Sequence, residues 1–253
     1  MNIEQRHSCF QDFNFFAFVH RGGAEEATEN TLEAFQHSSN MGFTFMETDV
    51  QATKDQQIVA FHDVDLSRMA NVNKTVDELS FNEIKELNLL GGGKIPTLKE
   101  LLSSFPSLRF NIDIKTENAV EGTVSIIKDL NAFNRVCIAS FSSARLNRIR
   151  NIAGPKCCTS MGQNEIVNLL LRSYSLPFPK SVGHCAQVPV SQWGIPIVTK
   201  KFINCAHNEN KLVHVWTINE EKEMNNLIDL GVDGLMTDRP SVLHKVLKDK
   251  NLI

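Results

Sequence analysis

At 253 residues with 42% hydrophobic side chains, the chain holds enough apolar material for one large α/β barrel or for two small domains. Its 26 basic and 29 acidic residues leave a formal charge of -3, which excludes the broad basic bias of a nucleic-acid binder, so an anionic ligand has to meet a local cationic patch or a metal. No apolar run approaches the roughly 20 residues of a membrane span, and the first residues carry no signal-peptide pattern.

The six cysteines, at positions 9, 137, 157, 158, 185 and 205, show neither C-x-x-C nor zinc-ligand spacing. We read them as reduced thiols of a cytoplasmic protein, with the adjacent Cys157 and Cys158 as small core residues rather than a redox pair.

Residues 1–13 are mixed and polar, which predicts a weakly tied N-terminal segment or a short strand closing the bottom of the fold. Residues 14–19 are aromatic and β-branched, a strand that delivers His20 at its end. The following Gly22-Gly23 lets backbone N–H groups approach a ligand closely. Residues 30–41 predict a helix with Asn30 as N-cap, Glu33 in its first turn and Gly42 at its end.

A second strand over residues 43–50 puts Glu47 and Asp49 on one face, because side chains two apart point the same way. That pair suits a hard cation bound by oxygen. A short strand over 58–61 then ends at His62-Asp63. Two histidines flanking a carboxylate-bound cation fit an acid and a base acting on a phosphate ester.

Residues 64–95 predict an insertion lying over the mouth of the fold, with a helix capped by Ser80 and Glu83 and ending near Gly91-Gly92-Gly93. Thr97 with Glu100 starts another capped helix.

The third strand, residues 108–115, alternates Phe110, Ile112 and Ile114 with Arg109, Asn111, Asp113 and Lys115. In a closed parallel barrel both strand faces are buried, so a wholly polar inner row has to line a site or a paired network. Further strands are expected at 136–141, 157–160, near 187–189, 212–217 and 232–237, with helical segments between them. The count of eight favours a single α/β domain over residues 1–253, a (β/α)8 TIM barrel with a small insertion after the second strand. Sites in such barrels sit at the C-terminal ends of strands. There the sequence places His20, Glu47, Asp49, His62, Asp113, Lys115, Ser140, Gln187 and Trp216. His214 shares strand parity with Trp216, one layer deeper, and reads as a hydrogen-bonded core histidine.

The motifs His20-Arg21-Gly22-Gly23, Glu29-Asn30-Thr31, Glu47-Thr48-Asp49, Thr53-Lys54-Asp55, His62-Asp63, Asn111-Ile112-Asp113-Ile114-Lys115, Val215-Trp216-Thr217-Ile218-Asn219 and the run from Gly231 through Asp238-Arg239-Pro240 follow in order. Together they resemble the glycerophosphodiester phosphodiesterases, from about Phe16 to Leu243 and most loosely between Cys157 and Lys201. The resemblance implies a TIM barrel that hydrolyses small glycerophosphodiesters to sn-glycerol 3-phosphate and an alcohol, with a divalent cation, Mg²⁺ or Ca²⁺. It implies His20 and His62 as the catalytic pair and Glu47, Asp49 and Asp113 as metal ligands. Asp113 stands where many members carry glutamate. Arg21 and Lys115 match cationic groups near the phosphate, and Trp216 an aromatic at the mouth.

Gln187 fits either the glycerol moiety or the barrel's own polar groups. The nucleophile is water or the glycerol 2-hydroxyl. Two other functions share this framework. A lysophospholipase D would need an apolar groove near the mouth, for which Leu89, Leu90 and residues 176–178 are the sequence candidates. A non-catalytic phosphodiester-binding barrel would be expected to have lost a histidine or a ligand, and all five are present.

Overall fold

In the computed structural model, which describes residues 6–253, eight parallel strands form the barrel wall: Phe16–Val19, Phe45–Ala52, Arg109–Ile114, Val136–Ala139, Cys158–Thr159, Cys185–Val188, Leu212–Val215 and Gly234–Thr237. The first strand pairs with the second on one side and with the eighth on the other. A single parallel bridge between Ser160 and Cys185 closes the ring between the fifth and sixth strands. The expected barrel is therefore the observed architecture, with helices between successive strands.

Alternation along each strand sorts the side chains. Outward residues such as Met46, Val50, Phe110, Ile112 and Ile114 pack under the helices in the main apolar core. The lower interior is filled by Phe16, Phe18, Phe45, Cys137, Cys158 and Cys185, and each fully buried aromatic there contributes roughly 1.5–3 kcal/mol. Cys157 and Cys158 lie in different clusters, one outside and one inside the wall, as core residues.

Several local expectations change. The bottom of the barrel is stopped by a short 3-10 helix, Ser8–Phe10, not by a strand; residues 1–5 lie outside the described residues. Phe10 packs edge-on against Phe16, and Arg109 donates to the carbonyls of Ser8 and Cys9 at 2.6 and 2.7 Å. Arg109, the lowest member of the polar row, thus ties down this plug.

The first helix, Leu32–Asn40, is capped by Thr31, whose hydroxyl accepts the Ala34 N–H, and not by Asn30. Asn30 has a positive φ of 57° and turns into the barrel mouth. The short strand Ile58–Ala60 runs antiparallel to the end of the second strand, so it extends that strand as a hairpin and adds nothing to the wall.

The insertion has its own small core of Leu66, Val76, Leu79, Ile84, Leu89 and Ile95. Both capping boxes expected from the sequence are formed, Ser80 with Glu83 and Thr97 with Glu100. The insertion flanks the mouth rather than covering it, and none of residues 64–95 lines the central cavity.

His214 is fully buried among Phe10, Phe16 and Phe18. It is a core histidine, but among the described residues neither ring nitrogen has a hydrogen-bond partner, contrary to expectation. Among the described residues, no helix is long and apolar enough to cross a membrane.

Candidate active site

The C-terminal ends of the strands open into a cavity of about 600 Å³ lined by His20, Arg21, Glu47, Asp49, His62, Asp113, Lys115, Ser140, Gln187 and Trp216, among others. Every site residue expected from the sequence therefore reaches one cavity. Parallel register between the second and third strands sets Glu47 beside Asn111 and Asp49 beside Asp113, so two neighbouring strands present three carboxylates at two levels.

His20 follows the first strand directly, and its Nδ1 lies 2.6 Å from Oδ1 of Asp238, which follows the adjacent eighth strand. Asn219 donates to the other oxygen of Asp238 at 3.1 Å and accepts its backbone N–H at 2.9 Å. The ring is thereby oriented with Nε2 on the side of Glu47, 3.7 Å from Oε2. Burial alone would lower the His20 pKa, but the charges of Glu47 and Asp238 and the bond to Asp238 outweigh it and move it upward.

His62 is held in the same fashion. Its Nδ1 lies 2.8 Å from Oδ1 of Asp63. Arg68, from the insertion, donates to both oxygens of Asp63 at 2.6 and 3.0 Å and to both of Glu29 at 2.9 and 2.7 Å. The hydrogen bonds from Arg68 hold the Asp63 carboxyl down at about 2, so it stays an acceptor for the histidine. Each histidine thus has Nδ1 engaged by a carboxylate, which leaves Nε2 as the nitrogen for chemistry.

The carboxylates differ in how they are compensated. Lys115 Nζ spans Asp49 Oδ1 at 2.7 Å and Asp113 Oδ2 at 2.6 Å. Arg21 Nε approaches Asp49 Oδ2 to 3.1 Å, as an ion pair that is not aligned for a hydrogen bond. Arg21 Nη1 also donates to Glu29 at 3.2 Å. Burial would raise the Asp49 pKa, but Lys115 and Arg21 outweigh it and lower it. Burial would also strip Lys115 of its proton, yet Asp49 and Asp113 raise its pKa further.

Glu47 has less support, with one backbone N–H, that of Arg21, at 3.2 Å. Burial first, and the charge of Asp49 second, push its pKa well above the usual carboxylate range. Burial likewise raises that of Asp113, whose Oδ1 is buried with no hydrogen-bond partner among the described residues.

These observations test the fit of a divalent cation. An orphaned buried carboxylate oxygen on Asp113 and an under-compensated Glu47 form an all-oxygen donor set short of positive charge, which suits a hard cation. As the side chains stand, however, Lys115 occupies the gap between Asp49 and Asp113, and among the described residues no three acidic, histidine or cysteine side chains are arranged to hold a metal. The donor chemistry fits, and full convergence on an ion requires Lys115 to shift.

Gln187 donates to Asn111 Oδ1 at 2.8 Å, which ties the sixth strand to the third across the interior while the side chain still lines the cavity. Ser140 is absorbed by the wall, donating to the Ile114 carbonyl at 3.1 Å and accepting from Arg145 at 2.9 Å. Trp216 packs edge-on to Phe141 at the mouth, with ring centroids 5.7 Å apart. Asp238, Glu29, Asn30 and Arg68 were not singled out from the sequence as site residues, although the first three stand inside its quoted motifs. Asn30 accepts the Thr48 hydroxyl at 2.8 Å and donates to Asp49 at 3.4 Å, so its turn position serves the carboxylate row.

The model of the Glycerophosphoryl diester phosphodiesterase family matches residues 20–242. The chain is 35% identical over 238 residues to the Mycobacterium tuberculosis protein named Probable glycerophosphodiester phosphodiesterase 2, covering 91% of this chain and 90% of that one. It is 27% identical over 270 residues to the human lysophospholipase D GDPD1, covering 90% and 84%. Among solved structures it superposes with a TM-score of 0.77 and 20% identity on an Oleispira antarctica phosphodiesterase in complex with the product sn-glycerol-3-phosphate, covering 92% of this chain and 96% of that one.

Proposed function

The chain belongs to the glycerophosphoryl diester phosphodiesterase family, and from that premise we propose that it hydrolyses glycerophosphodiesters to a glycerol 3-phosphate and an alcohol, using His20 and His62 as acid and base. The observation that carries this reading is the matched pair of histidines, each with Nδ1 against its own carboxylate and both on one cavity with Lys115 and Arg21.

A phosphodiester is already an anion, so its approach and its charge build-up require cations. Lys115 and Arg21 supply two at the edge of the carboxylate row. Glu47, Asp49 and Asp113 would hold Mg²⁺ or Ca²⁺, which when bound supplies Lewis-acid neutralisation of the phosphoryl oxygens. The chain's own residues then move the protons. One histidine Nε2 takes the proton of the attacking hydroxyl. The phosphorus–oxygen bond to the alcohol breaks, and the other Nε2 returns a proton to that leaving oxygen, each transfer contributing on the order of 10²- to 10⁴-fold. Asp238 and Asp63 hold the rings in the tautomer that this exchange needs.

The test is hydrolysis of glycerophosphocholine with added Mg²⁺ or Ca²⁺, with choline release as the readout. His20→Ala and His62→Ala should each abolish turnover with the circular dichroism spectrum unchanged, and EDTA should do so reversibly. Retained turnover in either variant would remove that histidine from the mechanism. Ligand binding without hydrolysis under every metal condition would favour a binding barrel.

A further inference from the structure

The floor of the barrel carries a second group of basic side chains, at the strand ends opposite the catalytic mouth. Leu212 pairs in register with Cys185, so the residues that enter these two strands, Lys211 and His184, stand side by side. Arg6 and His7 reach them from just before the 3-10 plug. With Glu209 and Asn210 these four line a cavity of about 160 Å³, which shares no lining residue with the cavity at the mouth.

We propose that this cavity binds a small tetrahedral oxyanion, inorganic phosphate or sulfate or a simple phosphate monoester, held by Arg6, His184 and Lys211. The site is separate from the phosphodiesterase centre and does not depend on it.

Three observations carry it. First, the hydrogen bonds already made fix which donors are free. His7 is used up, with Nδ1 accepting the Cys9 N–H at 3.1 Å and Nε2 lying 3.1 Å from the Lys156 carbonyl. His184 accepts the Thr159 N–H on Nδ1 at 3.2 Å, so its own proton sits on Nε2, which has no partner among the described residues. Second, the charge is one-sided. Lys211 reaches only the Val182 carbonyl, at 3.5 Å, and Arg6 gives Nη1 to the Phe13 carbonyl at 2.7 Å while its Nε is buried with no partner among the described residues. The carboxylate on this cavity, Glu209, is already matched, since Arg172 bonds both its oxygens at 2.7 Å. Burial first, and the neighbouring His7 and Lys211 second, push His184 down to about 4, and burial lowers Lys211 as well. An anion reverses both effects, because opposite charge favours the protonated forms, and charge-assisted bonds to it are the strong ones. Third, the size is selective. At roughly 30 Å³ for each water the cavity has the room of about five, enough for a tetrahedral oxyanion and too little for a nucleotide.

The test is calorimetric titration of the full chain with sulfate, inorganic phosphate and methyl phosphate, at constant ionic strength in chloride. We expect saturable binding of one anion per chain, and the tighter of the two phosphates identifies the form the site takes. Lys211→Met and Arg6→Gln should each weaken it about tenfold or more and leave glycerophosphocholine turnover unchanged. Lys115→Met, at the mouth, should not weaken it. A second readout needs no folded variant. In the parent protein the ring Cε1–H resonance of His184 should move saturably with added phosphate, and a fixed resonance would overturn the proposal. Loss of binding in Lys115→Met with none in Lys211→Met would overturn it by placing the anion at the mouth. Binding that appears only in Glu4→Ala would overturn it too, in favour of the chain's own carboxylate as the counter-ion.

Discussion

His20 and Asp238 are 218 positions apart in the chain, yet Nδ1 of one and Oδ1 of the other are 2.6 Å apart. The contact exists because the first and eighth strands pair, with Val19 beside Thr237, and deliver the two residues that follow them to the same edge. Asp238 does not itself line the cavity; it contacts the imidazole that does.

Replacing Asp238 with asparagine keeps the size and removes the charge that accepts Nδ1–H. The ring can then adopt the opposite tautomer, with its proton on the wrong nitrogen. Turnover of glycerophosphocholine should fall on the order of 10²- to 10⁴-fold in kcat with KM little changed. A change confined to KM would show that Asp238 serves binding and not proton transfer.

Arg68 should act on His62 at one remove. It bridges Glu29 and Asp63 with four hydrogen bonds, so Arg68→Ala frees the carboxylate that orients the ring. We expect kcat to drop about tenfold. Arg68→Lys should restore little of it, because an ammonium cannot bond two carboxylates bidentately. Steady-state kinetics on both variants decide the point, and full activity in the lysine variant would reduce Arg68 to a simple positive charge.

Lys115 compensates Asp49 and Asp113 at 2.7 and 2.6 Å. Lys115→Ala leaves two buried carboxylates without it, a situation that costs roughly 3–5 kcal/mol. The midpoint of thermal unfolding in EDTA should therefore fall. Added Ca²⁺ or Mg²⁺ should recover much of the loss, since a cation now has an uncontested donor set, and calorimetric titration should show tighter metal binding than in the parent protein. Unchanged metal affinity would mean that Lys115 and the ion do not compete.

His214 predicts a pH effect on stability. Burial lowers its pKa to about 4 in the folded protein, against about 6.5 when unfolded. The folded pKa is depressed, so the neutral ring's contribution is complete above about 6.5 and is lost as pH falls, because the unfolded chain binds the proton first. At pH 5 the loss is about 2 kcal/mol. His214→Leu should remove that component, so that urea denaturation at pH 8 and pH 5 shows a smaller difference in the variant. An unaltered difference would place the acid sensitivity elsewhere, and His184, also lowered to about 4 chiefly by burial, is the next residue to replace.

Much of the site was legible because strand parity is rigid. Once residues 43–50 and 108–115 read as strands, the inward direction of Glu47, Asp49, Asn111, Asp113 and Lys115 follows from a period of two, and all five line the cavity. What parity could not show was closure. Asp238 becomes a partner of His20 only when the ring joins the eighth strand to the first, and Arg68 reaches Asp63 only through the insertion's own packing. Asn30 and Thr31 are both competent caps, and the choice between them turned on Asn30 tolerating a positive φ and facing Asp49. The hairpin around Trp193 has strands of two residues each, too short to show any period.

The second and third strands are joined through six register pairs, from Phe45 with Arg109 to Val50 with Ile114, whereas the fifth and sixth meet at one bridge, Ser160 with Cys185. Backbone hydrogen bonds are the stitches of the ring, and this seam has two, from His184 N–H to Thr159 and from Met161 N–H to Cys185, both 2.8 Å, so we expect local opening there at lower free energy than between the second and third strands. The two sides of the mouth are therefore expected to differ in stiffness as well as polarity. The carboxylate row and Lys115 are mounted on the arc with the longer register, and the apolar side of the cavity, with Val167 and Leu170, on the other.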